Sequence, residues 1–464
     1  MTTPNPPLVS VVIPAFNASR TLRAACDSLR AQTLADWRCV IVDDGSTDDT
    51  GTLARAIARE DPRFAIVRQA NRGLAGARNT GLAHCTGTYV YFLDADDLAL
   101  PHALRTLAGA CAATGAAYAG IEFRDDAERI LDRTPEEHRP PVGLHDLLGG
   151  NPMVVHAQML RRDLLAHERF DERLRVGEDY DLWLRLAARG VRWAGVAPVV
   201  AMYRLRPASL SRDFDAMRRV GCETLARAYA RVRAGGVTPD VDASPARERR
   251  VRERLARDYA TMRALAGDPH DAAAMLRDAE DGPPTPLAPA DAAESLYWGV
   301  LYGLCKPPRI HARPPAWWVR AESWWGACVR AGLLDPRHLA DVRRAALERL
   351  LDPDAIAQRL LRDAAPDRHV TIIGLGRNGR RVAALALREG LRVAARDDTP
   401  DPAALAEGIT FEPMDAPVRG PCVVTPLRDD ALATRFPRAL RWRVAREALT
   451  RDLLGTLTGR GVAA

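Results

Sequence analysis

The residues Asp94-Ala95-Asp96-Asp97 close an apolar run, Tyr89-Val90-Tyr91-Phe92-Leu93. The run is that of a buried strand, and the carboxylates fall where it leaves the sheet. In an extended chain residues i and i+2 face the same way, which predicts that Asp94 and Asp96 converge. Converging carboxylates are costly unless a cation or hydroxyl donors neutralise them, and a hard divalent ion shared with phosphate oxygens is a common arrangement. An acidic turn that caps the next helix is the plain alternative for such a tripeptide taken alone. A second acidic group stands at Gly177-Glu178-Asp179-Tyr180-Asp181, where a glycine leads into a helix with three acids in its first turn. Acids there favour the helix dipole. Asp181 reads in that way, or as an ion pair with Arg185 at i+4.

The elements that must position these groups alternate. Val9 to Pro14 is a short apolar strand, and Ala15 to Ser19 turns into a helix with Leu22, Ala25, Cys26 and Leu29 at helical spacing. A second strand, Trp37 to Val42, ends in Asp43-Asp44-Gly45-Ser46. A helix over about Thr50 to Arg59, a strand from Phe64 to Arg68 and a small-residue helix from Leu74 to His84 precede the strand that ends at Asp94. Such alternation predicts an α/β unit with a mainly parallel sheet, which binds ligands beyond the carboxyl ends of its strands. Asn17, Asp43, Asp44 and the Asp94–Asp97 group all fall at those ends. Each has a plain reading as a turn or cap, and Arg78 one as a solvated helix face, but three polar clusters at equivalent places are hard to explain as unrelated turns.

Four segments, Val-Ser-Val-Val-Ile-Pro-Ala-Phe-Asn, Val-Asp-Asp-Gly-Ser-Thr-Asp, Asn-Arg-Gly-Leu-Ala-Gly-Ala-Arg-Asn-Thr-Gly and Phe-Leu-Asp-Ala-Asp-Asp, occur in this order. As a set they resemble the family 2 glycosyltransferases of GT-A fold, over roughly Leu8 to Ser211. The resemblance implies a nucleotide-diphospho-sugar transferase. In it Pro14, Ala15 and Asn17 line the nucleotide site, Asp43 accepts from the base with Asp44 in support, and Arg78 lies near the phosphates. Asp94 approaches the ribose, and Asp96, with Asp94, holds Mn²⁺ or Mg²⁺ on the diphosphate. It also implies that of the acidic pair Glu178-Asp179 the aspartate is the general base, acting with inversion. Trp183 and Leu184 then read as core. Family members often carry a histidine near the position of Arg206; the arginine here puts a histidine metal ligand in doubt and suggests that Arg206 meets the diphosphate itself. The donor expected is a UDP-sugar and the acceptor a glycan or lipid-linked hydroxyl, in bacterial surface polysaccharide or glycoconjugate synthesis.

Composition fits this picture. At 464 residues two or three domains are expected, and 47% apolar residues support sizeable cores. A formal charge of +6 from 66 basic and 60 acidic residues gives no ground for nucleic acid binding. Lys306 is the only lysine, so the basic residues are planar, always-charged arginines that suit phosphates. The eight cysteines show no CxxC or zinc spacing and read as buried thiols of a reducing compartment. Met1 to Leu8 is not a signal peptide, and no stretch is long enough for a membrane span. The expected location is cytoplasmic, with peripheral contact at the inner membrane face left open.

Beyond a GT-A domain over 1–212, residues 213–365 read as a helical region with Pro/Gly linkers. Trp298, Trp317, Trp318, Trp324 and Trp325 crowd a short span with arginines. They suit either helix packing or a membrane surface. Residues 366–464 restart an α/β pattern. A strand at His369 to Ile373 runs into Gly374-Leu375-Gly376-Arg377-Asn378-Gly379 and a helix, and acids including Asp397 follow. This is the context of a dinucleotide fingerprint. It predicts a small Rossmann-like domain with either a second nucleotide site at Gly374, Gly376, Gly379 and Asp397 or a purely structural role. Two rival functions stand beside transfer. A non-catalytic nucleotide-sugar-binding scaffold or sensor would have no need of both Asp96 and Asp179. A nucleotidyltransferase would want a glycine- and base-rich loop where Ala15 to Ser19 stands.

Overall fold

The computed structural model describes residues 6–134, 139–235, 241–267, 288–303, 317–331 and 333–350, five strands beyond them, and a few single positions. The chain divides into two compact units, one of Met1–Pro284 with Trp298–Pro307 and one of Thr285–Tyr297 with Pro308–Ala464.

The first unit is built on a sheet that begins with β1 (Val9–Ala15), β2 (Trp37–Asp43), β3 (Phe64–Arg68) and β4 (Tyr89–Phe92), then β5 (Leu98–Ala99). Helices α1 (Leu22–Arg30), α2 (Thr50–Glu60) and α3 (Gly73–Ala83) make the crossovers. Strands β1 to β4 are parallel neighbours in the order β3-β2-β1-β4. All seven residues of β1 are buried, so this strand is apolar on both faces but for Ser10 rather than alternating.

After α4 (Ala103–Thr114) come β6 (Ala116–Arg124), β7 (Ile130–Arg133), α5 (Leu144–Leu147), β8 (Gln158–Arg161), α6 (Glu178–Ala188) and β9 (Ala194–Arg204). They extend the sheet as β4-β8-β6-β9-β5, with β7 on β6. Strand β8 runs antiparallel to β4, in the register Tyr89↔Arg161, Val90↔Leu160, Tyr91↔Met159. Trp183 and Trp193, both buried, meet edge to face at 6.0 Å, and Phe170 packs on Phe92 at 5.2 Å. This aromatic stack fixes α6 on the sheet.

Helices α7 (Phe214–Arg233) and α8 (Pro245–Ala266) belong to this first unit, although the sequence pattern changes at about 212. Each starts on a capping side chain: Asp213 accepts from the Ala216 amide, and Ser244 accepts from the Arg247 amide ahead of Pro245. α7 and α8 pack on each other, and Leu225 and Tyr229 of α7 join the α6 core.

The second unit holds most of α9 (Pro289–Trp298), then α10 (Trp318–Arg330) and α11 (Leu339–Leu350). Trp318, Trp324 and Trp325 are buried, with Trp318 and Trp325 edge to face at 5.5 Å, so these three tryptophans serve packing. Strands β10 (His369–Ile373), β11 (Arg392–Arg396), β12 (Thr410–Phe411), β13 (Cys422–Val424) and β14 (Leu440–Arg441) are all parallel, in the order β12-β11-β10-β13-β14. Gly374, Gly376, Gly379 and Asp397 lie outside the described residues. Among the described residues no helix is long and apolar enough to cross a membrane.

Candidate functional site

The loops after β1 and β2 lock together. Asn17 takes a left-handed backbone, φ 50°. Its side-chain oxygen accepts from the Thr47 amide at 2.9 Å, and its own amide donates to Ser46 Oγ at 3.0 Å. Pro14 and Ala15 are buried. Asp43 is fully buried: Oδ1 accepts from the Ser46 amide at 3.0 Å, and Oδ2 lies 3.4 Å from Arg68 Nε. A Cβ on Gly51 would stand 2.6 Å from that Oδ2, so only glycine lets the first turn of α2 come this close. Asp44, also buried, accepts on Oδ1 from Gln69 Nε2 at 2.7 Å and from the Arg72 amide at 2.9 Å. The two carboxylates therefore organise the loop that surrounds them.

The acidic motif does not continue the strand. β4 ends at Phe92, and the Asp97 amide donates to the Asp94 carbonyl at 3.1 Å, closing a turn. In an extended chain i and i+2 share a face; in this turn the first and fourth side chains meet instead. Asp94 and Asp97 therefore converge, and Asp96 stands apart, half-exposed, with its Oδ2 3.9 Å from Arg206.

The third member of the cluster was not singled out in the sequence. His156 sits in a short helical turn, Val155–Ala157, just before β8. Because β8 pairs antiparallel with β4, the turn that leads into β8 lies beside the turn that leaves β4. Asp94, Asp97 and His156 each offer a ligand atom, all within 4.8 Å of one another. Asp97 and His156 are buried, and Nδ1 lies 3.1 Å from Asp97 Oδ2 without hydrogen-bond alignment. Among the described residues Asp97 Oδ2 and both imidazole nitrogens have no hydrogen-bond partner. Buried polar atoms are rarely left so, and two carboxylates with a neutral imidazole suit a divalent cation. Burial holds His156 down at about 4, which keeps it neutral, and pushes Asp97 up, with Asp96 and Asp94 adding to the rise.

Arg78, on α3, is buried and bridges two elements. Its Nη2 donates to Asp94 Oδ1 at 2.7 Å, its Nη1 donates to Glu178, and its guanidinium lies over the Phe170 ring at 5.5 Å. It is thus neither a solvated face nor a free cation. Gly177, at φ 68°, turns the chain into α6, a left-handed conformation that favours glycine, and brings Glu178 to this bridge. Glu178 is buried while Asp179 is partly exposed, its Oδ1 accepting from the Tyr180 amide at 2.7 Å. Burial pushes Glu178 up to about 7, against the pull of Arg78 and with help from Asp179. Burial raises Asp179 too, again opposed by Arg78. Asp181 pairs with Arg185 at 2.9 Å, and Trp183 and Leu184 are core.

β9 and the β6–β7 hairpin complete the surroundings. The Arg204 amide donates to Asp97 Oδ1 at 2.7 Å, and Arg204 Nε donates to the Asp96 carbonyl at 3.0 Å. Its Nη1 pairs with Glu128, whose backbone is left-handed at φ 60°. Arg206 pairs with Asp126 at 2.9 Å. Asp97, His156, Arg204 and Glu128 carry roles that spacing did not reveal; the trace available was a lone histidine within the apolar stretch Met153 to Ala157.

A mixed α/β sheet, parallel from β3 to β4, with buried carboxylates gathered at its strand ends, where such sheets bind ligands, is GT-A-like. A profile described as glycosyl transferase family 2 matches residues 10–168. The chain is 33% identical over 284 residues to the succinoglycan biosynthesis protein ExoU of Rhizobium meliloti (strain 1021), covering 55% of this chain and 78% of that protein. It is 33% identical over 224 residues to ExoO, a succinoglycan biosynthesis protein of the same organism, covering 44% and 63%. The chain belongs to glycosyltransferase family 2, with homologues in bacterial polysaccharide biosynthesis. It spans 26% of the uncharacterized glycosyltransferase EpsJ of Bacillus subtilis (strain 168) and 27% of the chondroitin synthase of Escherichia coli. The mannosyltransferase PcManGT from Pyrobaculum calidifontis, solved with GDP-Man and Mn²⁺, aligns at a TM-score of 0.40 with 20% identity, over 71% of this chain and 86% of that one. At that score the likeness bears on nothing further.

Proposed function

We propose that this chain moves a sugar from a nucleoside diphosphate donor, a UDP-sugar in the first instance, to an acceptor hydroxyl with inversion, in the synthesis of a bacterial surface glycan. The observation that carries the reading is the Arg78 bridge: one buried guanidinium ties Asp94, at the end of β4, to Glu178, beside Asp179. A leaving-group end and a proton-accepting end are thereby held as one piece, as displacement at a sugar carbon requires.

In this reading Asp179, the partly exposed member of the acidic pair, takes the acceptor proton, and Glu178 holds its place on Arg78. A raised carboxylate is the better base near neutral pH. Pro14, Ala15, Asn17, Asp43 and Asp44 form the nucleotide end. The locked loops there favour a preformed pocket wall, with Asp43 and Asp44 shaping it from beneath. Arg206, 3.9 Å from Asp96, stands to neutralise the diphosphate. A Mn²⁺ or Mg²⁺ ion at the carboxylate turn that carries Asp94 would supply charge neutralisation of the leaving diphosphate. A lipid-linked acceptor would bring the chain to the inner face of a membrane, and the cytoplasm is where nucleotide sugars are made available.

The test is donor binding and turnover across a panel of nucleotide sugars with Mn²⁺ or Mg²⁺. One donor should bind and turn over. Asp179→Asn should keep its affinity and lose at least about a hundredfold in turnover, while Asp96→Ala should weaken donor binding. A donor that binds but turns over equally in Asp179→Asn would remove the base assignment. Failure of every nucleotide sugar to bind would sink the function.

A further inference from the structure

We infer that the divalent cation of this chain is held by Asp94, Asp97 and His156, with the His156 imidazole as a direct ligand, rather than by the motif pair Asp94 and Asp96. The inference rests on the transferase reading above only for what the cation would serve; the donor set itself rests on geometry.

Each donor is fixed from behind. Asp94 gives one oxygen to Arg78 at 2.7 Å. Asp97 Oδ1 accepts from the Arg204 amide at 2.7 Å, and among the described residues Oδ2 has no hydrogen-bond partner. Tyr91 Oη donates to the His156 carbonyl at 2.6 Å, and the His156 ring packs against Tyr203 at 5.2 Å, so the imidazole is held by its backbone and its face. Among the described residues its two nitrogens, both buried, have no hydrogen-bond partner. Ligands about 2.1 Å from an octahedral cation lie about 3.0 Å apart along an edge; Asp97 Oδ2 and His156 Nδ1 are 3.1 Å apart and misaligned for a direct hydrogen bond. That spacing and misalignment fit two ligands of one ion.

The nearby cations do not fill the role. Arg78 is shared between Asp94 and Glu178, and Arg204 between Glu128 and the Asp96 carbonyl. The histidine absent at position 206 is thus supplied from a different element, the turn that leads into β8. Two carboxylates and one imidazole favour Mn²⁺ over Mg²⁺, which prefers oxygen-only shells. Asp96 is left beside Arg206 on the more open side of the turn.

The test uses the full chain and Mn²⁺ alone, without donor. Titration followed by the loss of the free Mn²⁺ electron paramagnetic resonance signal should show one site that binds Mn²⁺ more tightly than Mg²⁺. Pulsed spectra of the bound ion should carry nitrogen coupling from one imidazole. His156→Gln should abolish that coupling and weaken Mn²⁺ by about tenfold or more, Asp97→Asn should weaken it similarly, and Asp96→Asn should keep the coupling. Bound Mn²⁺ without nitrogen coupling in the wild-type chain, coupling that survives His156→Gln, or no Mn²⁺ binding at all, would each overturn the inference. The wild-type spectrum decides even if a variant fails to fold. Donor turnover without nitrogen coupling would leave the transferase reading standing and remove this site; coupling in a chain to which no nucleotide sugar binds would do the reverse.

Discussion

At the scale of single residues, Arg78 sets the terms. A guanidinium buried to 2% exposure must be matched by charge, and it is matched twice, by Asp94 and by Glu178. Removing one partner of a buried ion pair leaves the others uncompensated, at a cost of about 3–5 kcal/mol. Arg78→Ala should therefore lower the stability of the first unit by about that amount in urea unfolding and abolish turnover. Arg78→Lys should not restore either, because a point charge cannot hold two carboxylates in a fixed fork. Unchanged stability in Arg78→Ala would mean that the bridge carries no load. The thiols give a second residue-scale expectation. Burial pushes Cys26, Cys85 and Cys111 up to about 12. These three should resist a thiol reagent at pH 8 until the chain is unfolded, since the thiolate is the reactive form; rapid labelling of any of them in the native chain, read by mass spectrometry, would contradict this.

At the scale of elements, the loops after β1 and β2 act as one. Asp48 joins them: Oδ1 accepts from the Thr50 amide at 3.0 Å at the start of α2, and Oδ2 from the Ser19 amide at 3.2 Å. Although what burial it has works the other way, these hydrogen bonds from Thr50 and Ser19 hold Asp48 down at about 2, from an ordinary 3.8. A carboxylate lowered in the folded state stabilises fully above its unfolded value, and that stability is lost as pH falls through the folded one. The Asp48 contribution is therefore complete above about pH 4 and disappears between about 4 and 2. Asp48→Asn should flatten the acid limb of the unfolding curve in that window and leave the neutral side with a small, constant loss. An unchanged acid limb would show that the clasp is not linked to folding.

At the scale of the molecule, the first unit is not one continuous stretch. Residues Trp298–Pro307 return to it. There Tyr302 packs on Phe123 at 5.8 Å and on Tyr203 at 6.3 Å, and its carbonyl accepts from Arg212 Nη1 at 2.6 Å. Tyr203 is the same ring that packs against His156. A chain cut after Pro284 loses this strap, whereas one cut after Pro307 keeps it. The shorter chain should unfold at lower urea concentration, by at least about 1 kcal/mol from the two aromatic contacts alone, and should bind Mn²⁺ less well. Equal stability of the two would mean that the returning segment does not support the site.

What the sequence determined by itself was what local spacing can carry. The strands and helices of the first hundred residues follow from apolar runs and helical periodicity. The placing of Asn17, Asp43, Asp44 and Asp94 at the ends of strands follows from the order of those elements. The i, i+4 pair of Asp181 with Arg185, and the burial of Trp183, were legible for the same reason. What only the tertiary structure decided was which side chains meet. One turn hydrogen bond, from the Asp97 amide to the Asp94 carbonyl, exchanges an i, i+2 pairing for a convergence of Asp94 with Asp97. The antiparallel pairing of β8 with β4 brings His156 to Asp94 across 62 residues of sequence, and packing against Phe170 turns Arg78 inward, onto Asp94 and Glu178. Residue types and spacing encode the chemistry on offer; strand register and close packing choose the partners, because contacts between distant segments exist only once the chain has closed on itself.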